Sequence, residues 1–108
     1  MTDILNGRKR RPTHPGELVR DELLPQFGLS QGELAAAIGV SRKTVNEVLT
    51  EKRSLSVDMA YRLGRLFRIS PGLLIRMQEA VDVWNTVRVH RGEYARIRPA
   101  SRIESQAV

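Results

Sequence analysis

Cysteine is absent from the 108 residues of this sequence. Its absence excludes disulfide bonds and thiolate metal sites, and it makes a reducing cytoplasm the expected setting. Aromatic residues contribute only 5%, while hydrophobic residues together reach 41%. That proportion is sufficient for the core of a helical protein, and the length suits one compact domain.

Long apolar segments are also missing. The N-terminus has no apolar signal core, and no stretch approaches the ~20 apolar residues of a membrane span. We therefore expect a soluble intracellular protein without a membrane partner. Histidine is scarce as well, since His14 and His90 are far apart and have no cysteine or clustered carboxylates beside them. Because a glycine-rich phosphate loop is lacking too, the sequence predicts neither an enzyme nor a bound cofactor or metal.

Basic charge exceeds acidic charge by 6, and the excess lies at the two ends. Residues 1–12 carry four basic residues against one acidic, and residues 88–108 carry five against two, whereas residues 13–87 are balanced. We predict a flexible basic arm over 1–12, a folded domain over 13–87 and a basic tail over 88–108. The arginine run of the arm either follows a DNA minor groove or stays solvated. For the tail arginines three alternatives are open: they contact DNA, they contact an acidic partner, or they make no contact.

Two short helical segments joined by a tight turn occupy residues 30–50. Ser30 followed by Glu33 has the spacing of a capping box, which begins a helix. Ser41 begins the next run, in which the apolar residues share one face. Between the two segments Gly39 permits the turn, and a small residue four positions earlier lets the helices approach. These features specify a helix-turn-helix, which places its second helix in the DNA major groove.

Three further helices complete an all-α, five-helix fold. The first begins at residues 14–17 (HPGE), where proline and glutamate suit a helix N-terminus, and Pro25 disfavours helical geometry at Leu24. The fourth follows a cap at Ser56, and the fifth begins at residues 70–71 (SP). The expected inward-facing residues are Leu18, Val19, Leu23 and Leu24 in the first helix, Val45, Val48 and Leu49 in the third, and Val57, Ala60, Leu63, Gly64 and Phe67 in the fourth.

Helical periodicity is lost from Arg88 onward. The residues that follow are compatible with a short strand or with an irregular tail. We favour a strand through residues 94–97, because aromatic and β-branched residues are enriched in strands.

The arrangement of these motifs resembles a known family. A helix-turn-helix formed by the second and third of five helices is similar to the lambda-repressor-like, Xre-type DNA-binding proteins. The flanks resemble HigA-type antitoxins through HPGE at 14–17, GLSQ at 28–31, VSR at 40–42 with Asn46, KR at 52–53, SP at 70–71 and Trp84. The resemblance covers about residues 13–87 and implies a homodimer that represses its own operon. It also implies direct neutralisation of a HigB toxin, a RelE-like ribosome-dependent mRNA endonuclease.

The second helix of the motif is expected to read DNA with the face opposite its buried residues. The predicted base-reading residues are Arg42, Lys43, Asn46 and Glu47. Arginine and lysine suit guanine, asparagine suits adenine and glutamate suits cytosine. We expect Arg42 and Lys43 to contribute most, whereas Glu47 fits a surface ion pair equally well. The predicted phosphate contacts are Gln31, Ser41, Thr44, Lys52 and Arg53.

One helix-turn-helix reads only a few base pairs, so useful affinity normally needs two copies on a pseudo-palindrome. The predicted dimer interface is a stripe on the fifth helix formed by Leu74, Met77, Val81 and Trp84. Its spacing of three, four and three is that of a helix–helix seam, although the same stripe could close the monomer core. The expected docking surface for a basic toxin is the acidic face of the first helix, formed by Glu17, Asp21 and Glu22.

Two other functions are compatible with the sequence. One is a free-standing Xre-type regulator without a toxin partner, and the other is a protein-interaction adaptor that no longer binds DNA. A neighbouring gene for a small, basic RelE-like protein would favour the antitoxin. Sequence-specific binding to the protein's own promoter would exclude the adaptor.

Overall fold

Five helices make up the regular secondary structure of the part that the computed structural model describes, residues 10–101. The first helix, α1, is continuous but has three sections, Pro15–Leu18, Val19–Leu23 and Leu24–Phe27. The others are α2 (Gln31–Ile38), α3 (Arg42–Leu49), α4 (Val57–Phe67) and α5 (Pro71–Arg96). The predicted all-α, five-helix fold is therefore confirmed.

The middle section of α1, Val19–Leu23, is π-helical, and this explains how the helix passes Pro25. The N–H of Leu24 donates to the oxygen of Val19, five residues earlier, instead of four. The wider turn accommodates a proline, which has no N–H to donate and whose ring crowds a regular helix. Although Pro25 disfavours helical geometry at Leu24, that residue is helical, and α1 continues to Phe27 and ends at Gly28 with φ 65°.

Every helix contributes a fully buried side chain to one shared core. Val19, Leu34, Leu49, Leu63 and Leu74 are each no more than 2% exposed, and they come from α1 to α5 in that order. Burying such side chains contributes about 1.5–3 kcal/mol each relative to leaving them in water. Because all five helices share this core, α1, α4 and α5 support the helix-turn-helix from its buried side.

The predicted inward face of α4 is correct except at its first residue. Ala60, Leu63 and Phe67 are buried, whereas Val57 is 61% exposed. Val57 lies at the edge of the apolar stripe, and Met59, which was not predicted, occupies the inward position in the first turn. The cap at Ser56 is confirmed, because its hydroxyl accepts a hydrogen bond from the N–H of Met59.

Helix α5 extends well beyond the point at which its apolar periodicity ends. Residues 94–96 form its last turn, so the expected strand at 94–97 is wrong, and Ile97 is the extended C-cap. The apolar periodicity ends because α5 leaves the body of the protein there. The elongated shape of the protein, 62 × 31 × 22 Å, reflects this protruding helix. The predicted tail over 88–108 therefore begins inside a helix, and residues 102–108 lie outside the described part.

Residues 10–12, the described end of the predicted basic arm, contact the body. Pro12 is buried, and Arg11 forms an ion pair with Glu51 at 2.9 Å. Residues 1–9, which include most of the predicted arm, lie outside the described part. None of the described helices is both long and apolar enough to cross a membrane.

Candidate DNA-binding site

The turn between α2 and α3 has the predicted geometry. Gly39 adopts φ 72°, a left-handed conformation that glycine reaches without steric cost, and its N–H donates to the oxygen of Ala35. At the start of α2, the N–H of Ser30 donates to Glu33 Oε1 at 2.8 Å, and the N–H of Glu33 donates to Ser30 Oγ at 3.0 Å. The predicted capping box is therefore present. Hydrogen bonding from the main chain and side chain of Ser30 lowers the pKa of the Glu33 carboxyl.

Helix α3 is capped at its start and buried along one side. Ser41 Oγ accepts a hydrogen bond from the N–H of Thr44 at 3.0 Å and donates to Thr44 Oγ1 at 2.9 Å. Val45, Val48 and Leu49 are buried, as predicted. The opposite side of α3 is consequently fixed as the side that a DNA duplex can reach.

Four of the predicted DNA-contacting residues form one accessible surface across α2 and α3. The guanidinium of Arg42 packs against Gly32 of α2, 3.4–3.6 Å from the position that a Cβ at that glycine would take. Asn46 Nδ2 donates to Gln31 Oε1 at 3.3 Å, which links the two helices directly. Lys43, beside Arg42, is exposed. This surface combines two cations with an amide pair, a set of groups suited to guanine, adenine and phosphate.

Glu47 and Arg53 form an ion pair beside that surface. Arg53 donates to Glu47 Oε1 through Nε at 3.0 Å and Nη2 at 2.7 Å. This is the ion-pair alternative that the sequence left open for Glu47. Lys52 is exposed beside the pair, and the base and phosphate assignments of all these residues remain predictions.

Two arginines outside the motif, neither of them predicted from the sequence, hold the C-terminal ends of its helices. Arg20 of α1 donates to the oxygen of Leu49 at 2.7 Å, and Arg62 of α4 donates to the oxygen of Ile38 at 2.7 Å. Terminal carbonyls of a helix lack partners within the helix, and a cation also offsets the negative end of the helix dipole. The partners are 29 and 24 residues apart in sequence, so no local spacing reveals them.

Arg20 also connects α1 to the residue that follows α3. It forms a two-pronged ion pair with Asp21, which raises the pKa of Arg20 and lowers that of Asp21. Glu51, at a left-handed φ of 64°, lies 3.6 Å from Arg20 and 2.9 Å from Arg11. The hydrogen bond from Arg11 lowers the pKa of Glu51. Together these charges fix the chain where it leaves α3.

Two buried polar side chains position the segments on either side of the motif. His14 is 3% exposed, and its Nδ1 accepts the N–H of Gly16 at 2.8 Å, which caps α1. Burial lowers the pKa of His14, so the neutral form that can accept this bond is favoured. Gln78 of α5 is 6% exposed, and its Oε1 accepts the N–H of Leu55 in the loop after α3. His14 lies in the helix-entry turn, as predicted, whereas no sequence pattern indicated a role for Gln78.

The predicted dimer stripe on α5 divides into two kinds of position. Leu74 and Val81 are buried within the protomer, so they have no free surface for a second copy. For these two residues the alternative prediction is correct, because they close the core of the monomer. Met77 and Trp84 are only half-buried, and the guanidinium carbon of Arg88 lies 5.2 Å from the centre of the Trp84 ring. Of the predicted interface residues, only Met77 and Trp84 therefore keep surface that a second copy could contact, and their role in a dimer remains a prediction.

Comparison with known proteins agrees with this geometry. The Helix-turn-helix family model matches residues 19–74. Virulence-associated protein I of Dichelobacter nodosus is 40% identical over 78 residues, 71% of this chain and 72% of that protein. Antitoxin HigA-1 of Vibrio cholerae is 32% identical over 91 residues, 84% and 86% of the two chains. The solved structure of Pseudomonas aeruginosa antitoxin HigA with the higBA promoter is 38% identical and superimposes with a TM-score of 0.78, covering 84% of this chain and 100% of that one. The chain therefore belongs to the helix-turn-helix family and, within it, to the HigA-type antitoxins.

Proposed function

We propose that this protein represses its own toxin–antitoxin operon as a homodimer and neutralises a RelE-like mRNA endonuclease by direct binding. The observation that carries the DNA-binding part is the surface that spans α2 and α3, on which Arg42, Lys43 and Asn46 are exposed and the half-buried Gln31 bonds to Asn46. Its helices are fixed at both ends by capping side chains, so the surface is preorganised. A preorganised surface loses less conformational entropy when it binds DNA.

Arg42 and Lys43 carry most of the expected specificity. Both lie in the first turn of α3, the end of a recognition helix that contacts base edges in the major groove. Because residues 13–87 carry no net charge, non-specific attraction from the domain itself is weak. Sequence-specific contacts and two-fold binding must then supply the affinity.

A titration against the DNA upstream of the protein's own gene tests this proposal. We expect a salt-dependent complex with that duplex and much weaker binding to a scrambled duplex of equal length. The variant Arg42→Ala plus Lys43→Ala should lose most of the preference. The matched control, Arg65→Ala plus Arg76→Ala, removes the same charge from exposed positions outside the motif and should keep the preference. If both double variants lose the preference for the upstream duplex equally, bulk charge and not α3 determines binding.

The dimer is proposed to form through α5, where Met77 and Trp84 keep accessible surface. An aromatic residue of this kind is a frequent anchor of interfaces. Sedimentation equilibrium of the full chain should give twice the monomer mass, and Trp84→Asp should shift the equilibrium towards the monomer. Unchanged association of the Trp84 variant would remove this residue from the interface.

The toxin is proposed to bind the acidic face of α1. Of its three carboxylates, Asp21 is held by Arg20, Glu17 is half-buried and Glu22 is exposed. Glu22 is therefore the residue to test. Glu22→Lys should reduce co-purification with the product of the neighbouring gene and the protection of ribosome-bound mRNA, without altering operator binding. Absence of any neighbouring RelE-like gene would favour the free-standing regulator instead.

A further inference from the structure

An open groove with three arginines lies where the C-terminal ends of α2 and α4 meet, and we call it the arginine groove. It encloses about 430 Å³ and is lined by Ala37, Ile38, Arg62, Arg65, Leu66 and Arg68. Ile38 is buried and Leu66 is half-buried, whereas all three arginines are exposed. The arginine groove therefore combines an apolar base with a cationic rim.

The positive charge of the arginine groove exceeds what the fold itself uses. Arg62 donates to the oxygen of Ile38 at 2.7 Å and to Asp58 Oδ2 at 2.8 Å, so its charge is balanced. The guanidinium groups of Arg65 and Arg68 contact no hydrogen-bond or ion-pair partner within the described part of the chain. The two helix C-termini together offset roughly one positive charge. About one positive charge is therefore left for a partner.

The backbone at Arg68 indicates that its side chain has a role. Arg68 caps α4 in a left-handed conformation with φ 58°. The ends of α1 and α2 adopt the same conformation with glycine, at Gly28 and Gly39. A residue with a Cβ is strained there, and such strain is concentrated at functional sites. Arginine at this position is therefore better explained by what its guanidinium binds than by the conformation of the chain.

The arginine groove is separate from the surface that reads DNA. Gln31 and Ile38 are the first and last residues of α2, which places them about 10 Å apart along the helix axis. The DNA-reading surface includes Gln31, whereas the groove includes Ile38. None of the described residues that line the groove is aromatic, so the bases of a single-stranded nucleic acid would find no ring to stack on. Both observations argue against a nucleic acid as the occupant.

We infer that the arginine groove binds an acidic peptide segment of a partner protein. An apolar side chain of the peptide packs on Ile38 and Leu66, and its carboxylates pair with Arg65 and Arg68. Guanidinium groups bind carboxylates through two parallel hydrogen bonds, which makes such pairs specific. Because the groove is open to solvent, it would leave a small molecule largely exposed, whereas a peptide also gains contacts on the flanking surface.

This partner differs in chemistry from both partners in the proposed function. DNA contacts the opposite end of α2, and a basic toxin is proposed to bind the acidic face of α1. The inference therefore goes beyond the proposed function, and its failure would leave repression and toxin neutralisation unchanged.

Nuclear magnetic resonance of the isotope-labelled full chain tests the inference with synthetic peptides in which glutamates flank leucines. Two control peptides replace either the glutamates with glutamine or the leucines with serine. We expect the first peptide to shift the amide resonances of Ala37, Ile38 and Leu66, and both controls to bind more weakly. Fluorescence anisotropy of the labelled peptide should give the same affinity in the presence of saturating operator duplex, because the groove is distant from the DNA-reading surface.

Three variants of the protein identify the groups that bind the peptide. Arg65→Glu should weaken peptide binding on the order of tenfold, while Arg76→Glu, at an exposed position on α5 outside the groove, is the matched control and should leave it unchanged. Arg68→Gly removes the guanidinium and also relieves the backbone strain. It should therefore weaken peptide binding without lowering the midpoint of thermal unfolding.

Four results would overturn the inference. They are equal peptide affinity of Arg65→Glu and Arg76→Glu, equal affinity of the glutamate and glutamine peptides, displacement of the peptide by the operator duplex, and tighter binding of oligothymidylate than of the peptide to the same residues. The last result would identify a nucleic-acid site instead. Operator binding by Arg65→Glu is measured in parallel, because an unchanged operator affinity distinguishes failure of this inference from failure of the proposed function.

Discussion

The guanidinium of Arg20 donates to the main-chain oxygen of Leu49, the last residue of α3, at 2.7 Å. Arg20 lies on α1, so this hydrogen bond fixes the far end of the recognition helix against an element outside the helix-turn-helix. Asp21 holds the guanidinium from the other side at 2.8 and 2.9 Å. The orientation of α3, on which base reading depends, is therefore controlled from both of its ends.

Replacing Arg20 should impair both stability and DNA binding. Arg20→Met keeps much of the aliphatic stem but leaves the Leu49 oxygen without this donor, so we expect a lower midpoint of thermal unfolding and weaker operator binding. The stability and operator affinity of Arg20→Lys should lie between those of the wild-type protein and Arg20→Met. An ammonium can reach one acceptor but cannot form the two-pronged contact with Asp21. Circular dichroism melts and gel-shift titrations measure the two effects. Arg76→Met is the control for loss of an exposed arginine, and an equal effect there would contradict the capping role.

Two glycines offer a paired prediction, because one is crowded and the other is open. A Cβ added at Gly16 would collide with the main-chain oxygen of Val48 in α3, whereas nothing lies within 4 Å of a Cβ added at Gly92 in α5. Gly16→Ala should destabilise the protein by about 2–3 kcal/mol. Gly92→Ala should stabilise α5 by about 0.5–1 kcal/mol, since alanine loses less backbone entropy in a helix. Chemical denaturation of both variants measures these changes, and a tolerated Gly16→Ala would refute the close approach of α1 to α3.

Stability should depend on pH through His14. Burial lowers its pKa below the usual 6.5, and Glu51, Asp82 and Glu17 partly oppose this while Arg11 reinforces it. The unfolded chain therefore binds more protons than the folded one at pH values just below 6.5. The stabilising contribution is fully present above pH 6.5 and is lost as the pH falls through the folded pKa. The lowered pKa values of Glu33 and Glu51 affect only the more acidic range.

Urea denaturation between about pH 7.5 and about pH 5 measures this dependence. The wild-type protein should lose stability across the interval. His14→Asn, which keeps a side-chain acceptor suited to an N-cap, should flatten that part of the profile. His90→Asn is the control for the second histidine and should leave the His14-dependent slope in place. A His14→Asn profile parallel to that of the wild-type protein would exclude His14 as its source.

Local features of the sequence were sufficient to predict the motif itself. The capping box of Ser30 and Glu33, the turn at Gly39 and the buried face of α3 depend on residues within four positions of one another. Such contacts are fixed by helix geometry whatever the rest of the chain does. For the same reason the five helices were predicted. The helical geometry of Leu24 was not, because sequence spacing does not reveal the π-helical turn that accommodates Pro25.

Contacts between distant segments were not predictable. The bonds from Arg20 to Leu49 and from Arg62 to Ile38 depend on how α1 and α4 pack, which no local pattern encodes. The stripe on α5 was ambiguous for another reason, since a three-four spacing is the same whether a helix packs on its own core or on another copy. Burial resolves this for Leu74 and Val81, which lie in the core, whereas Met77 and Trp84 keep accessible surface.

The most direct test of the DNA-reading role of α3 is selection of binding sites from randomised duplexes by the wild-type protein and by Arg42→Ala. The wild-type protein should select a pseudo-palindrome with a preferred guanine in each half-site. Arg42→Ala should lose the preference at that position alone, at a cost of about 1–3 kcal/mol, and retain it at the others. If the two proteins select the same sequence with the same preference at every position, the proposed reading surface is contradicted.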